Sequence, residues 1–424
     1  MRAACIPASA DRWLVCRRFV RRFLLLVPTV LSCAPPEPQP AALPVSRSPE
    51  LRIGLLVNAR RAAIASAAPI RVEDPVGGRS EEVGAGISID ATTRGTRVVL
   101  SGGAALDASM VVLEPTDSTV RLRLDGREYD GTLELRRGDD GLTVVNRVAL
   151  ETYLVAVVSA EMGPRPLDEI EALKAQAVAS RTYAIRNQGR WSNQGFDLVA
   201  DAGDQIYGGR GAENVTAAQA VTATRGQILM YDGQPIDAFF SSTCGGRTED
   251  GAAAFSGADR PYLRAVDDLD PTGTPWCAIS PRFHWATGWS ANALSATLRR
   301  TLAAEGLPGG RAEDLTGVRV TGRTGSGRVS EITLDGRDGR TLVSGQAIRR
   351  VLAPPDGGLL KSTDFTVRLT RDGGVLERVD IDGRGYGHGV GMCQWGAIGR
   401  ARAGQDYQTI LVSYFPGTDL RRIY

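Results

Sequence analysis

The spacing of the apolar residues changes at Leu150, and that change constrains the fold more than any other feature of the chain. Before it, short runs alternate apolar and polar residues: 119–125 (TVRLRLD), 131–136 (GTLELR) and 142–147 (LTVVNR). A period of two places successive side chains on opposite faces of a strand. Asp125-Gly126 and Asp140-Gly141 separate these runs and supply turns. From Leu150 onward, Leu150, Tyr153, Leu154, Val157, Val158 and Glu161 recur at steps of three and four, which is one face of a helix. Gly163-Pro164 ends it.

The same reading extends along the chain. Residues 51–57 form a strand, and 51–118 form a small β-rich domain. A second helix spans 168–188, with Asp168 as cap and Glu171 at the capping-box spacing. A third helix covers 213–224, and a hairpin at 227–240 turns at Asp232-Gly233. A helix follows at about 291–305, with hairpins at 317–334 and 364–381 and a short helix near 344–352. Strands come first and a mixture follows, with no internal repeat, so the expected class is α+β, with helices and β-hairpins around a substrate groove.

The amino terminus carries Arg12, Arg17, Arg18, Arg21 and Arg22, then the apolar run Phe23–Leu31, then Ser32-Cys33. That order is an export signal, and the run is too short to span a membrane as a mature helix. Val30-Leu-Ser-Cys33 also resembles a bacterial lipobox, which makes Cys33 the lipidation candidate; the competing reading is an ordinary signal peptide. The expected division is a leader at 1–33, a proline-rich linker at 34–50, the β-rich domain at 51–118 and a catalytic domain at 119–424. The linker's proline density gives an extended spacer. Together these predict an exported envelope protein held to the membrane by lipid only.

The chain has 50 basic and 48 acidic residues, a net charge of +2. Nucleic-acid binding normally leaves a concentrated basic face, and this balance gives no case for it. Lysine occurs only at 174 and 361, and histidine only at 284 and 388, so a mechanism that needs either has few candidates.

Glu161 is the most informative single residue. A carboxylate on an otherwise apolar stripe is partly desolvated, which raises its pKa, and the negative end of the helix pushes the same way. Such an acid stays protonated and can donate to a leaving oxygen. The competing reading is a frayed helix end with Glu161 in water. The second helix offers Lys174, Gln176, Arg181 and Tyr183, either as a cationic and hydrogen-bonding wall for a polar polymer or as a solvated face. Cys244, Cys277 and Cys393 remain once the leader cysteines are set aside, an odd number for disulfides. With His388 they form either a tetrahedral zinc set, or one disulfide and a buried thiol. The stretch Gly383–Gly391 lacks the ending of a phosphate loop and reads as a tight backbone region bringing His388 to a groove.

Several segments together resemble one family. They are Leu142-Thr-Val-Val-Asn146, Leu150-Glu-Thr-Tyr-Leu154, Ala160-Glu-Met162, 171–184 (EALKAQAVASRTYA), Asp204-Gln-Ile-Tyr207, Ser241-Ser-Thr-Cys-Gly-Gly246, Pro261-Tyr-Leu263 and 387–397 (GHGVGMCQWGA). This set is similar to the stage II sporulation protein D and amidase-enhancer family, from about residue 120 to the end. The resemblance implies a peptidoglycan lytic transglycosylase, which cuts the β-1,4 bond between N-acetylmuramic acid and N-acetylglucosamine and closes a 1,6-anhydro ring. It places the catalytic glutamate on Glu161, adds Gln205 and Ser242 to the substrate-binding set, and implies zinc held through Cys and His in some members. The alternative it carries is a non-catalytic wall-binding enhancer of an N-acetylmuramoyl-L-alanine amidase. The chain departs from the family's pattern at Gly163-Pro-Arg-Pro166, at Ser241 where many members have His, and at Cys393 where many have Ser.

Overall fold

The computed structural model describes residues 48–211, 214–308 and 314–424. The leader, Cys33 and nearly all of the linker lie outside the described residues. The class is α+β, as the change of period requires.

A seven-stranded sheet carries the amino-terminal half. Its strand order is Leu198–Val199, Glu50–Ala59, Leu142–Ala149, Thr132–Arg137, Met110–Pro115, Ile70–Asp74 and Arg79–Val83. A six-stranded sheet runs from Arg127–Tyr129 through Ala62–Ser66 and Ile89–Arg94 to Asp107–Ala108. The alternation read from sequence is the burial pattern here: Leu122 and Leu124 are buried while Arg123 between them is exposed. The boundary expected at 118 falls inside the larger sheet, because Met110–Pro115 pairs with Thr132–Arg137 and Glu50–Ala59 pairs with Leu142–Ala149. Both sheets bury Ile53, Ile64, Leu113, Leu133 and Val144 in the core that also takes the helices. The strands of 51–118 therefore have no core of their own.

Three helices pack on this base: α1 (Leu150–Met162), α2 (Ile170–Arg186) and α3 (Val215–Ala223). Gly163 ends α1 at a φ of 67°, and its N–H bonds the Ser159 carbonyl. Every residue of α2 from Ala175 to Ala184 is buried, because small alanines let α1, α3 and the strand Gln227–Tyr231 approach it from several sides. The expected capping box does not form. Leu167–Glu169 is a 3₁₀ turn, and Glu171 instead bonds Lys174 Nζ and the Tyr407 N–H.

Residues 284–384 enclose a second core around Trp289, Leu298, Ile332, Phe365 and Ile381. This lobe enters just after Cys277 and leaves just before His388. On its return the chain lays Met392–Cys393 beside Phe240–Ser241 as a parallel pair. Gly391 makes that approach possible. Its φ is +71°, and an added Cβ would lie 2.1 Å from the Phe239 carbonyl oxygen. Gly391→Ala is expected to destabilise the protein by about 1–3 kcal/mol or more, since a side chain there carries backbone strain as well as a clash; a lowered urea midpoint at unchanged slope checks this. Among the described residues no helix is long and apolar enough to cross a membrane.

Candidate active site and cysteine cluster

The apolar stripe of α1 is fully sunk: Leu150, Tyr153, Leu154, Val157 and Val158 are each 0% exposed. Glu161 continues that stripe at the next-to-last position of the helix and is half-buried. The helix is intact there, so the frayed-end reading does not hold. Two neutral donors hold the carboxylate. Oε1 accepts the Ile206 N–H at 3.1 Å, and Oε2 accepts Gln394 Nε2 at 3.2 Å. Among the described residues no cation pairs with it. Burial therefore dominates and raises its pKa above the usual glutamate range, against the opposing pull of the two hydrogen bonds.

Each donor is itself anchored. Ile206 is followed by Tyr207, whose hydroxyl donates to Asn146 Oδ1 at 2.8 Å on the central strand. Asn146 Nδ2 in turn serves the Asp130 and Thr132 carbonyls. Gln394 opens the helix Gln394–Arg402, and its Nε2 also reaches Gln176 Oε1 at 3.4 Å.

The structure sorts the other expected site residues. Gln176 lies next to the acid's partner but is fully enclosed, donating to Ser180 Oγ at 3.0 Å. Gln205 is buried, accepts Tyr153 OH at 3.1 Å and carries the loop that presents Ile206. Tyr183 bonds Asp204 at 2.8 Å and lines a separate cleft of about 470 Å³ together with Arg190 and His388. Ser242 is half-buried, and its carbonyl accepts the Trp395 N–H. Lys174 is half-buried and paired with Glu171 at 2.6 Å. Arg181 corrects the expectation of a cationic wall. It is 0% exposed and grips Glu151 through two 2.8 Å bonds, because α2 is a central helix with no solvated face at that level. In this position it cannot touch a substrate.

The three cysteines do come together, without His388. Cys244, Cys277, Cys393 and Asp268 are buried, and their ligand atoms all lie within 4.8 Å of one another. The thiols are free. His388 points elsewhere: its Nδ1 accepts the Val390 N–H at 3.0 Å, and its ring packs against Phe255 and Phe239. Positive φ angles at Gly387, Gly389 and Gly391 turn the backbone between His388 and Cys393, so four residues of separation do not bring the two together. Burial and the nearby Arg349 pull the His388 pKa down to about 4, so its imidazole is neutral.

Sequence reasoning missed two residues. Gln394 stood inside the quoted 387–397 segment, but nothing local ties it to a glutamate 233 positions away. Asp268 carried no signal at all among so many aspartates.

Relatives match across this same region. A family model described as stage II sporulation protein matches residues 138–231, and one for a domain of unknown function matches 277–391, the inserted lobe with its flanks. An uncharacterized protein of Brachyspira hyodysenteriae is 34% identical over 312 residues, 73% of this chain and 76% of its own. The stage II sporulation protein D of Bacillus amyloliquefaciens is 32% identical over 65% of this chain and 75% of its own. This chain belongs to the stage II sporulation protein D family. The amidase enhancer of Bacillus subtilis is also related, at 29% identity over 71% of this chain but 45% of its own length. The 138–231 match holds the helix that carries Glu161 and the loop that supplies the Ile206 N–H, while Gln394 lies beyond both family matches.

Proposed function

We propose that the protein is an exported peptidoglycan lytic transglycosylase, anchored through Cys33, with Glu161 as its acid and then its base. The observation that carries this is a half-buried carboxyl with a raised pKa, held by two neutral donors. Among the described carboxyls the other one clearly raised is Asp268, which is sealed inside the cysteine cluster and cannot meet a glycan.

In this reading protonated Glu161 donates to the glycosidic oxygen as the bond to the muramic acid C1 breaks. N-acetylglucosamine leaves with that proton. The carboxylate then takes the proton from the muramic acid C6 hydroxyl, whose oxygen closes on C1. One residue thus serves both steps, where glycoside hydrolysis by water normally needs two carboxyls. Ile206 N–H and Gln394 Nε2 keep the carboxylate oriented between the steps and favour its charged form after it has given up the proton.

The test is digestion of peptide-free glycan strands followed by mass spectrometry for 1,6-anhydro-muramyl ends. The kinship with an amidase enhancer supports a second reading, a wall-binding stimulator of an amidase. No anhydro product, together with stimulated release of stem peptides by an added amidase, would replace the first reading with the second.

A pH prediction follows from the same geometry. The active form is the protonated acid, so kcat/KM falls as pH rises through the Glu161 pKa, above the ordinary 4.5 because burial disfavours the anion. Gln394→Leu removes a donor to the carboxylate and adds apolar surface, and both changes push that pKa up further. The alkaline limb of the profile should move to higher pH. An unmoved limb, or a shift to lower pH, means that Gln394 does not act on the acid.

A further inference from the structure

We infer that Cys244, Cys277, Cys393 and Asp268 form a closed structural zinc site, with the carboxylate taking the place that sequence spacing offered to His388. Three sulfurs and one carboxylate oxygen suit zinc and do not suit calcium or magnesium, which take oxygen ligands. The spacing fits a ligand shell. Cys244 Sγ and Cys277 Sγ stand 3.6 Å apart, close to the roughly 3.8 Å edge of a tetrahedron built on zinc–sulfur bonds of about 2.3 Å. A disulfide brings its sulfurs to about 2.05 Å.

The groups around the cluster are arranged as outer-shell partners. Asp268 Oδ1 is taken by Tyr414 OH at 2.8 Å and Arg400 Nε at 3.2 Å, which leaves Oδ2 facing the Cys244 sulfur at 3.2 Å. Cys393 Sγ accepts two backbone N–H groups, Cys244 at 3.1 Å and Gly396 at 3.2 Å, the donors a thiolate ligand needs. With zinc bound, three thiolates and a carboxylate leave a net charge of −2, and the Arg400 guanidinium offsets one unit of it.

All four ligands are buried, so the site has no position open to water or glycan and its role is structural. It joins four separated pieces of chain: the end of the Ser241–Gly246 run, the loop at Asp268, the entry to the inserted lobe at Cys277, and the exit at Cys393. Cys393 is also the N-cap of the helix whose first residue, Gln394, holds Glu161. The site thereby fixes the acid's donor, although the inference does not depend on what Glu161 catalyses.

The full chain purified without chelator should carry a single zinc by elemental analysis. Cobalt exchange should give strong thiolate-to-cobalt absorption with tetrahedral visible bands. Asp268→Asn should alter those bands and weaken zinc retention. Tyr414→Phe keeps the first shell and should lower zinc affinity about 10–100-fold in chelator competition, the usual loss for an outer-shell partner. His388→Ala should leave metal content and spectrum unchanged. Zinc-free wild type overturns the inference, whether or not peptide mapping then finds a disulfide among Cys244, Cys277 and Cys393. Loss of zinc in His388→Ala with retention in Asp268→Asn overturns the ligand assignment.

Discussion

Glu161→Gln is expected to slow formation of 1,6-anhydro product by about 10²–10⁴-fold, the span over which a positioned acid or base acts. The amide has the shape of the acid and can still accept one hydrogen bond. Its NH₂ must then face either the Ile206 N–H or Gln394 Nε2, where the wild type presents an oxygen to each. One lost hydrogen bond costs roughly 0.5–1.5 kcal/mol. Against that stands the cost the wild type carries for holding a carboxyl in a site that disfavours its charge. A carboxyl raised above its unfolded pKa loses stability as pH climbs through and beyond the unfolded value. The variant does not have that loss, so near neutral pH its unfolding free energy should match or exceed that of the wild type. Loss of turnover with retained or improved stability is the signature of a functional acid held in an unfavourable site. A variant that stays active would sink the catalytic role, and one that is both inactive and much less stable would make Glu161 a structural residue.

The position of Glu161 on a buried helix face was legible in sequence because that signal is local. Six positions of one helix face were enough to place Glu161 on an apolar stripe, and the structure buries the five before it. What holds the acid was not legible. Ile206 N–H is a backbone group, and Gln394 arrives through a parallel pairing from 233 residues away. Three members of the cysteine cluster were readable as a group, because disulfides alone cannot use an odd number of cysteines. Its fourth member was not, because sequence proximity favoured His388 while alternate glycines at positive φ turn that histidine into an aromatic pocket. The strands of 51–118 were visible as strands, but their partners across the larger sheet come from beyond 130, and strand pairing at long range leaves no local pattern. Arg181 misled for a related reason. Spacing says which residues of a helix share a face, and it is silent on whether that face meets water or a third helix.

That burial makes Arg181 the position with the largest expected effect on stability. Its guanidinium spans Glu151 on α1, the Val221 carbonyl on α3 and the Gln227 carbonyl of the following strand. Glu151 also accepts the Gly226 N–H and the hydroxyl of the terminal Tyr424. Arg181→Met strips the cation from a largely buried carboxylate, and breaking such a pair from one side costs about 3–5 kcal/mol. Adding Glu151→Leu should return part of that loss, because the pair's attraction only partly exceeds the cost of desolvating both charges. The sign of the pH response separates this account from a simple packing defect. In the wild type, burial pushes the Glu151 pKa up, but the Arg181 contacts, together with the hydrogen bonds from Tyr424 and Gly226, outweigh it and hold the value below the ordinary range. Its contribution is then present above the unfolded pKa and is lost as pH falls through the folded one. Without Arg181 burial is left as the leading influence, the folded pKa rises, and the variant should lose stability as pH rises instead. Urea unfolding of wild type, both single variants and the double variant across pH 4–8 reads this directly. A loss of less than about 1 kcal/mol, in the range of exposed pairs, would show that water reaches the pair. A raised KM for glycan at unchanged stability would return Arg181 to the substrate-binding role that its spacing on the helix first implied.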